Sequence, residues 1–220
     1  MKFSDETLAV LKNFAGINPS IMLKPGKVVR TISPQKTVMA EAAIEEEFEN
    51  DAGIYDLNKF LASVSALDNP EIVFGDDRFF MKQGRGQMFY TYAAESMILT
   101  PTSNKVELPS KDVVINLPWD SLQKVVRCAG ILHLDEIAFM SDGSTLKLCA
   151  INGKNPTDDK YELVIGEGED VKLPEKPFKK SIKLDNLRLI PNDYTVTISI
   201  NALAHFKSEK VQYWIALESK

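Results

Sequence analysis

The chain has 220 residues, 44% hydrophobic and 26% charged, with a formal net charge of −5; this suits one large or two modest globular domains. No apolar run approaches the ~20 residues that span a bilayer, and the N-terminus MKFSDETLAV places acids where a signal peptide needs an apolar core. Neither half is basic, with 11 bases against 15 acids up to residue 110 and 15 against 16 after it, so bulk positive charge is excluded as a means of holding nucleic acid.

In chain order, Ser4 is a fair N-cap for a short amphipathic helix, LAVLKNFAGI at Leu8–Ile17, with Asp5 and Glu6 suited to its positive end. Leu8, Leu11 and Ala15 share its apolar face, Lys12 lies at the edge of that stripe, and Gly16 is placed to close the helix in a left-handed conformation. A hairpin pattern follows: Ile21–Leu23, a turn at Lys24-Pro25-Gly26-Lys27, then Val28–Ile32. Strands continue to about Ala43, and Glu45–Asp51 reads as a solvated acidic turn. Asp56 caps a second helix with Leu57, Phe60, Leu61 and Val64 inward and Lys59 and Ser63 on the other side. Three short strands come next, Glu71–Phe74, Arg78–Lys82 and Gln87–Tyr92.

The polar, proline-bearing segment Thr100–Asp112 reads as a linker, giving domains at 1–100 and 113–220 joined by 101–112. After a strand at Val113–Leu117 the first helix returns as LQKVVRCAGI, Leu122–Ile131, at an offset of 114 residues. Asp120 is its expected cap, with Gln123 completing a capping box, and Lys124 and Arg127 lie together opposite the apolar stripe. Its hairpin is Ile137–Met140, an Asp142-Gly143 turn and Leu146–Ala150. Tyr161–Ile165 is a strand, Glu167–Lys180 a charged stretch, and Ile182–Ile190 echoes the second helix, carrying Arg188 and stopped by Pro191. Thr195–Ala202, Ala204–Lys207 and Gln212–Leu217 are the closing strands. Each half therefore reads as helix, strands, helix, strands: a duplicated α+β module.

Enzyme signatures are missing: no GxxxxGK[ST], no GxGxxG after a strand, no HExxH and no GxSxG. Cys128 and Cys149 make no metal spacing and point to a reduced setting. His133 and His205 read as surface or packing residues, and Asp76-Asp77 and Asp158-Asp159 as turn residues. The remaining signal is a base on every expected helix: Lys12, Lys59, Lys124, Arg127 and Arg188. Singly, each is an ordinary solvated base. Converging, they would make a positive strip inside an acidic protein.

LKNFAGINPSIMLKPGK (Leu11–Lys27) and IYDLNKFL (Ile54–Leu61) resemble the DNA polymerase sliding clamp of T-even-type bacteriophages, and the likeness extends in weaker form over the chain. The resemblance implies an α+β chain of two tandem clamp-like domains and a homotrimer closed head to tail. Helices would line the hole and antiparallel sheets the outside. It implies double-stranded DNA, held without sequence preference, as a partner, with Lys2, Lys12, Lys59, Lys124, Arg127 and Arg188 facing it. It also implies a partner-peptide groove, for which Val106, Leu108 and Ile200 are the candidates. The other implied partners are the phage DNA polymerase, a clamp loader ATPase and late-transcription factors, in the cytoplasm of the infected host. No cofactor, metal, membrane or catalysis is implied. Two rival readings stand beside it: a phage structural or scaffold protein on the same duplicated module without DNA, and an enzyme whose site is assembled from distant acids.

Overall fold

The computed structural model describes residues 1–102, 106–155 and 157–218, with the backbone alone at 169. It divides into two compact units, Met1–Asn104 and Lys105–Lys220. Residues 103–105 of the expected linker lie outside the described residues.

The first unit carries α1 (Asp5–Ile17), β1 (Ile21–Leu23), β2 (Gly26–Ile32), β3 (Val38–Phe48), β4 (Ala52–Ile54), α2 (Leu57–Ala66), β5 (Glu71–Phe74), β6 (Arg78–Gln83) and β7 (Gly86–Thr91). The expected hairpin of β1 with β2 does not form. β1 pairs with β4, Met22 opposite Gly53, and β2 pairs with β3. Gly26 at φ +111 turns the chain out of the first ladder and into the second. The acidic run is no turn either. It continues β3, where Ile44 and Phe48 are buried and Glu45 and Glu47 exposed, the period-2 pattern of a half-buried strand. β5, β6 and β7 form an antiparallel meander, with Gly84 at φ +55 in the β6–β7 turn. α1 and α2 lie side by side. Phe60 of α2 is fully buried with its ring 4.9 Å from Phe79, 5.3 Å from Tyr90 and 6.2 Å from Phe3.

The second unit carries β8 (Val113–Leu117), α3 (Trp119–Ile131), β9 (Glu136–Ser141), β10 (Thr145–Ile151), β11 (Tyr161–Glu167), β12 (Phe178–Lys183), β13 (Tyr194–Ser199), β14 (Leu203–Lys207) and β15 (Val211–Ala216). One sheet runs β11-β10-β9-β12 and a second run of strands is β15-β14-β13-β8, all antiparallel. The Asp142-Gly143 hairpin forms as expected: Asp142 Oδ1 accepts from Ser144 N at 2.9 Å and Thr145 N at 2.8 Å. Phe139, Phe206, Tyr194 and Tyr213 fill the core.

Three helix expectations fail here. Gly16 and Gly130 do not close their helices but lie inside them. The left-handed residue after α3 is His133, at φ +53, with Leu134 N donating to Ala129 O. Asp120 is not the cap; α3 begins one residue earlier, behind Pro118, which offers no side-chain acceptor. The fourth helix is absent. Phe178–Lys183 alternates as strand β12, and only a single 3-10 turn, Leu184–Asn186, follows. Pro191 leaves too little chain for helix to compete with that strand pairing.

Candidate nucleic-acid interface

The candidate bases are set by what each helix buries. α1 turns Val10, Leu11, Phe14 and Ala15 inward, which leaves Asp5, Ala9, Lys12 and Gly16 on its solvent side. Lys12 is therefore central on that side, not at its edge as the sequence suggested. Ser4 caps the helix, accepting from Thr7 N at 3.2 Å. Glu46 of β3 reaches the same end and accepts hydrogen bonds from Ser4 N and Thr7 Oγ1. Burial pushes the Glu46 carboxyl up, but the Thr7 and Ser4 hydrogen bonds outweigh it and hold the group below its ordinary value.

α2 is capped by Asp56, which accepts from Lys59 N at 2.9 Å. It buries Leu57, Phe60 and Val64 and exposes Asn58, Lys59, Ala62 and Ser65. Lys12, Asn58 and Ser65 line a cleft of about 500 Å3 between α1 and α2, together with Leu8, Leu61 and Asp68. Lys59 stands outside it. Lys2 is exposed between Phe3, which is buried, and Met1, whose backbone exchanges two 2.7 Å hydrogen bonds with Ile72.

α3 buries Leu122, Val125 and Ala129 and presents Lys124 and Arg127 to solvent one turn apart. Arg127 Nη2 lies 3.4 Å from Gln123 Oε1. The helix packs on β9, β10 and β11. Its first free amide, Trp119 N, donates to Asp193 Oδ1 at 2.7 Å. Neither Glu46 nor Asp193 is legible as a helix cap from sequence, because each lies in a distant segment. Arg188 is exposed but not helical; its Nε donates to Asp185 O at 3.1 Å. The segment after it is pinned by tyrosines: Ile190 N donates to Tyr213 OH at 3.1 Å, and Tyr194 OH donates to Ile190 O. Burial raises both phenols, that of Tyr213 to about 12.

The structure thus brings Lys12 and Lys59 onto neighbouring helices in one unit, and Lys124 and Arg127 onto one helix face in the other. Arg188 belongs to neither pair, since it lies on no α-helix but after the 3-10 turn Leu184–Asn186. Of the groove candidates, Val106, Leu108 and Ile200 are all half-buried. Ile200 N donates to Asp112 Oδ2 at 2.8 Å, and Ser110 Oγ lies 2.8 Å from Ser199 Oγ. These bonds tie the segment after Leu108 to the end of β13. Among the described residues there is no group of three His, Cys, Asp or Glu side chains placed to hold a metal. His133 is exposed, and His205 is half-buried against Trp214, ring centroids 4.8 Å apart.

Two family models match the chain: "DNA polymerase processivity factor" over residues 4–74 and "gp45 sliding clamp, C terminal" over residues 114–219. Among curated proteins, the sliding clamp of Escherichia phage RB69 is 32% identical, with all of this chain and 97% of that protein covered. The sliding clamp of Vibrio phage KVP40 is 30% identical over the full length of both. Among solved structures, the Proliferating Cellular Nuclear Antigen of Entamoeba histolytica is 16% identical and superimposes with a TM-score of 0.71, covering 99% of this chain and 98% of that one. That likeness is one of fold.

Proposed function

The chain belongs to the sliding clamp family of T-even-type phages, a family of DNA polymerase processivity factors and not of catalysts, and from that premise we propose that three copies close head to tail around duplex DNA. In this reading residues 1–100 and 113–220 are the two clamp domains, 101–112 connects them, and Lys2, Lys12, Lys59, Lys124 and Arg127 face the DNA. Arg188 contributes from a loop. The observation that carries the reading is the pair Lys124 and Arg127, one turn apart on the solvent side of α3 and in no ion pair among the described residues. Contacts of that kind go to phosphates and carry no sequence information. Encirclement supplies retention, so the contacts can be weak and the protein acidic.

The ring would tether the phage DNA polymerase, be placed by a clamp loader ATPase in the cytoplasm of the infected host, and serve late-transcription factors as a mobile activator. Partner peptides would dock beside the connecting segment, at Val106, Leu108 and Ile200. The test is retention on circular against linearised DNA after loading. Loss on linearisation supports a topological hold; equal retention on both overturns it.

A further inference from the structure

The cleft between α1 and α2 holds more than a base. Its volume of about 500 Å3 falls within the ~300–1,000 Å3 of sites for small ligands. Each helix gives it a leucine that is only half-buried, Leu8 from α1 and Leu61 from α2. Each also gives it a polar side chain one turn from that leucine, Lys12 on α1 and Asn58 on α2, both exposed. Lys12 is in no ion pair among the described residues.

The chain leaving α2 adds the rest. Asp68 N donates to Ser65 O at 3.1 Å, and Asp68 and Asn69 then stand at φ +50 and +58. Few side chains adopt that left-handed conformation, and Asp and Asn tolerate it best. Both residues line the cleft. The lining therefore combines one cation, one carboxylate, two amides and two uncovered leucines. An occupant that satisfies them all carries an anion for Lys12, an apolar body for the leucines and a hydrogen-bond donor for Asp68. Inorganic phosphate lacks the body and the donor, and an aliphatic side chain lacks the anion and the donor. A nucleotide has all three.

We propose that this cleft binds one unpaired nucleotide whose base carries an exocyclic amino group. Lys12 takes the phosphate, the base lies against Leu8 and Leu61, and the amino group donates to Asp68, as cytosine N4 donates to carboxylates. Asn58 and Asn69 can each donate and accept along the remaining polar edge of the base. Thymine has no amino group, so it would leave the Asp68 carboxylate facing carbonyl oxygens. The nucleotide comes either from solution or from an unpaired position in DNA, and the second source rests on the ring reading above. Paired DNA would then pass freely, because taking a base out of an intact duplex is costly, and the ring would be held at gaps and frayed ends.

The experiment is equilibrium dialysis of the full chain against dAMP, dCMP, dGMP, dTMP, deoxycytidine and inorganic phosphate. The three amino-bearing nucleotides should bind, dTMP roughly tenfold more weakly, and phosphate more weakly than any of them. Ala62 lines the cleft and is exposed, so Ala62→Phe should fill the space and abolish binding with circular dichroism and native mass unchanged. Lys12→Ala should weaken dCMP and leave deoxycytidine as before. Asp68→Asn keeps a residue that tolerates the left-handed turn and should bring dTMP level with dCMP, a change of ratio that a merely structural role would not produce. No nucleotide binding, or equal binding of dTMP and dCMP by the parent, overturns the site. The source is read on gapped circular DNA with 2-aminopurine at the unpaired position. None of the described lining residues is aromatic, so capture should raise the fluorescence of the loaded parent and not of Ala62→Phe. An unchanged signal with dCMP binding intact overturns the DNA source and assigns the site to free nucleotides. A single-chain native mass with dCMP binding intact overturns the ring and leaves the site standing.

Discussion

Replacing Lys124 and Arg127 together by alanine isolates the charge of α3 from its packing. Both side chains are exposed, and the one hydrogen bond at stake is the 3.4 Å contact of Arg127 with Gln123. Leu122, Val125 and Ala129, which hold the helix to its sheet, are untouched. Urea unfolding should therefore stay within about 0.5 kcal/mol of the parent. DNA binding should change in its salt dependence. Each neutralised phosphate adds about 0.9 to the slope of log K against log salt. With both bases gone from one engaged chain, that slope falls by about 1.8, and with both gone from three engaged chains by about 5.4. Between 50 and 200 mM salt, a slope of about 1.8 corresponds to roughly a twelvefold change in affinity. The assay is binding of the clamp to nicked circular DNA, read by sedimentation across that salt range. A parallel line, weaker or not but with the parent slope, refutes the placement of these two bases on phosphates.

Four further outcomes follow from the interior. Glu46 is held below its ordinary carboxyl value in the folded state, so the unfolded chain binds more protons as pH falls through and below about 4.5, and stability should drop there. Glu46→Gln should flatten that part of the acid limb in urea titrations at pH 3 to 7, and an unchanged limb removes Glu46 as its source. Asp193→Ala should cost about 1 kcal/mol through the lost cap of α3, seen as faster amide exchange in the first turn of that helix. Phe60→Ala should cost about 3–5 kcal/mol, because its ring is fully enclosed by Phe3, Phe79 and Tyr90. Of the two free thiols, half-buried Cys128 should react first with a disulfide reagent in the native protein. Cys149, buried in β10 with its thiol pushed up to about 11 by burial, should react only on unfolding.

Repetition and period made much of this fold legible. The returning LxxV/L…AGI pattern located α1 and α3, and alternation located β5 to β7 and β9 to β11. What escaped was decided by partners far away in sequence. No local feature says that β1 takes β4 and leaves β2 to β3, or that an acidic run continues as one side of β3. Ile182–Ile190 carries helical spacing in Leu184, Leu187 and Arg188, yet the alternation of Phe178–Lys183 engages β9 first. The site divides the same way. Exposure of Lys59, Lys124 and Arg127 follows from helical phase alone, whereas Lys12, read at the edge of its stripe, is central on the solvent side of α1. The support for Arg188 comes from a loop that Tyr194 and Tyr213 hold, which no periodicity encodes.

The helix starts constrain what kind of contact these bases can make. A free helix N-terminus offers fixed amides and a partial positive charge to an anion. Each of the three α-helices among the described residues has a carboxylate of the protein already at that end: Glu46 at α1, Asp56 at α2 and Asp193 at α3. An approaching phosphate is left with ammonium and guanidinium groups on long, flexible stems. Those groups attract without fixing a direction and can pass from one phosphate to the next at little cost, whereas a cradle of backbone amides would hold one phosphate in one geometry. The same carboxylates that order the helices therefore favour mobile contacts over fixed ones. Asp193→Asn separates the two roles: the amide oxygen still accepts from Trp119 N, so α3 keeps its cap, while the negative charge is gone. DNA binding at low salt should then tighten with no loss of stability. Equal binding by Asp193→Asn and the parent would show that the carboxylate at α3 does not reach the DNA electrostatically.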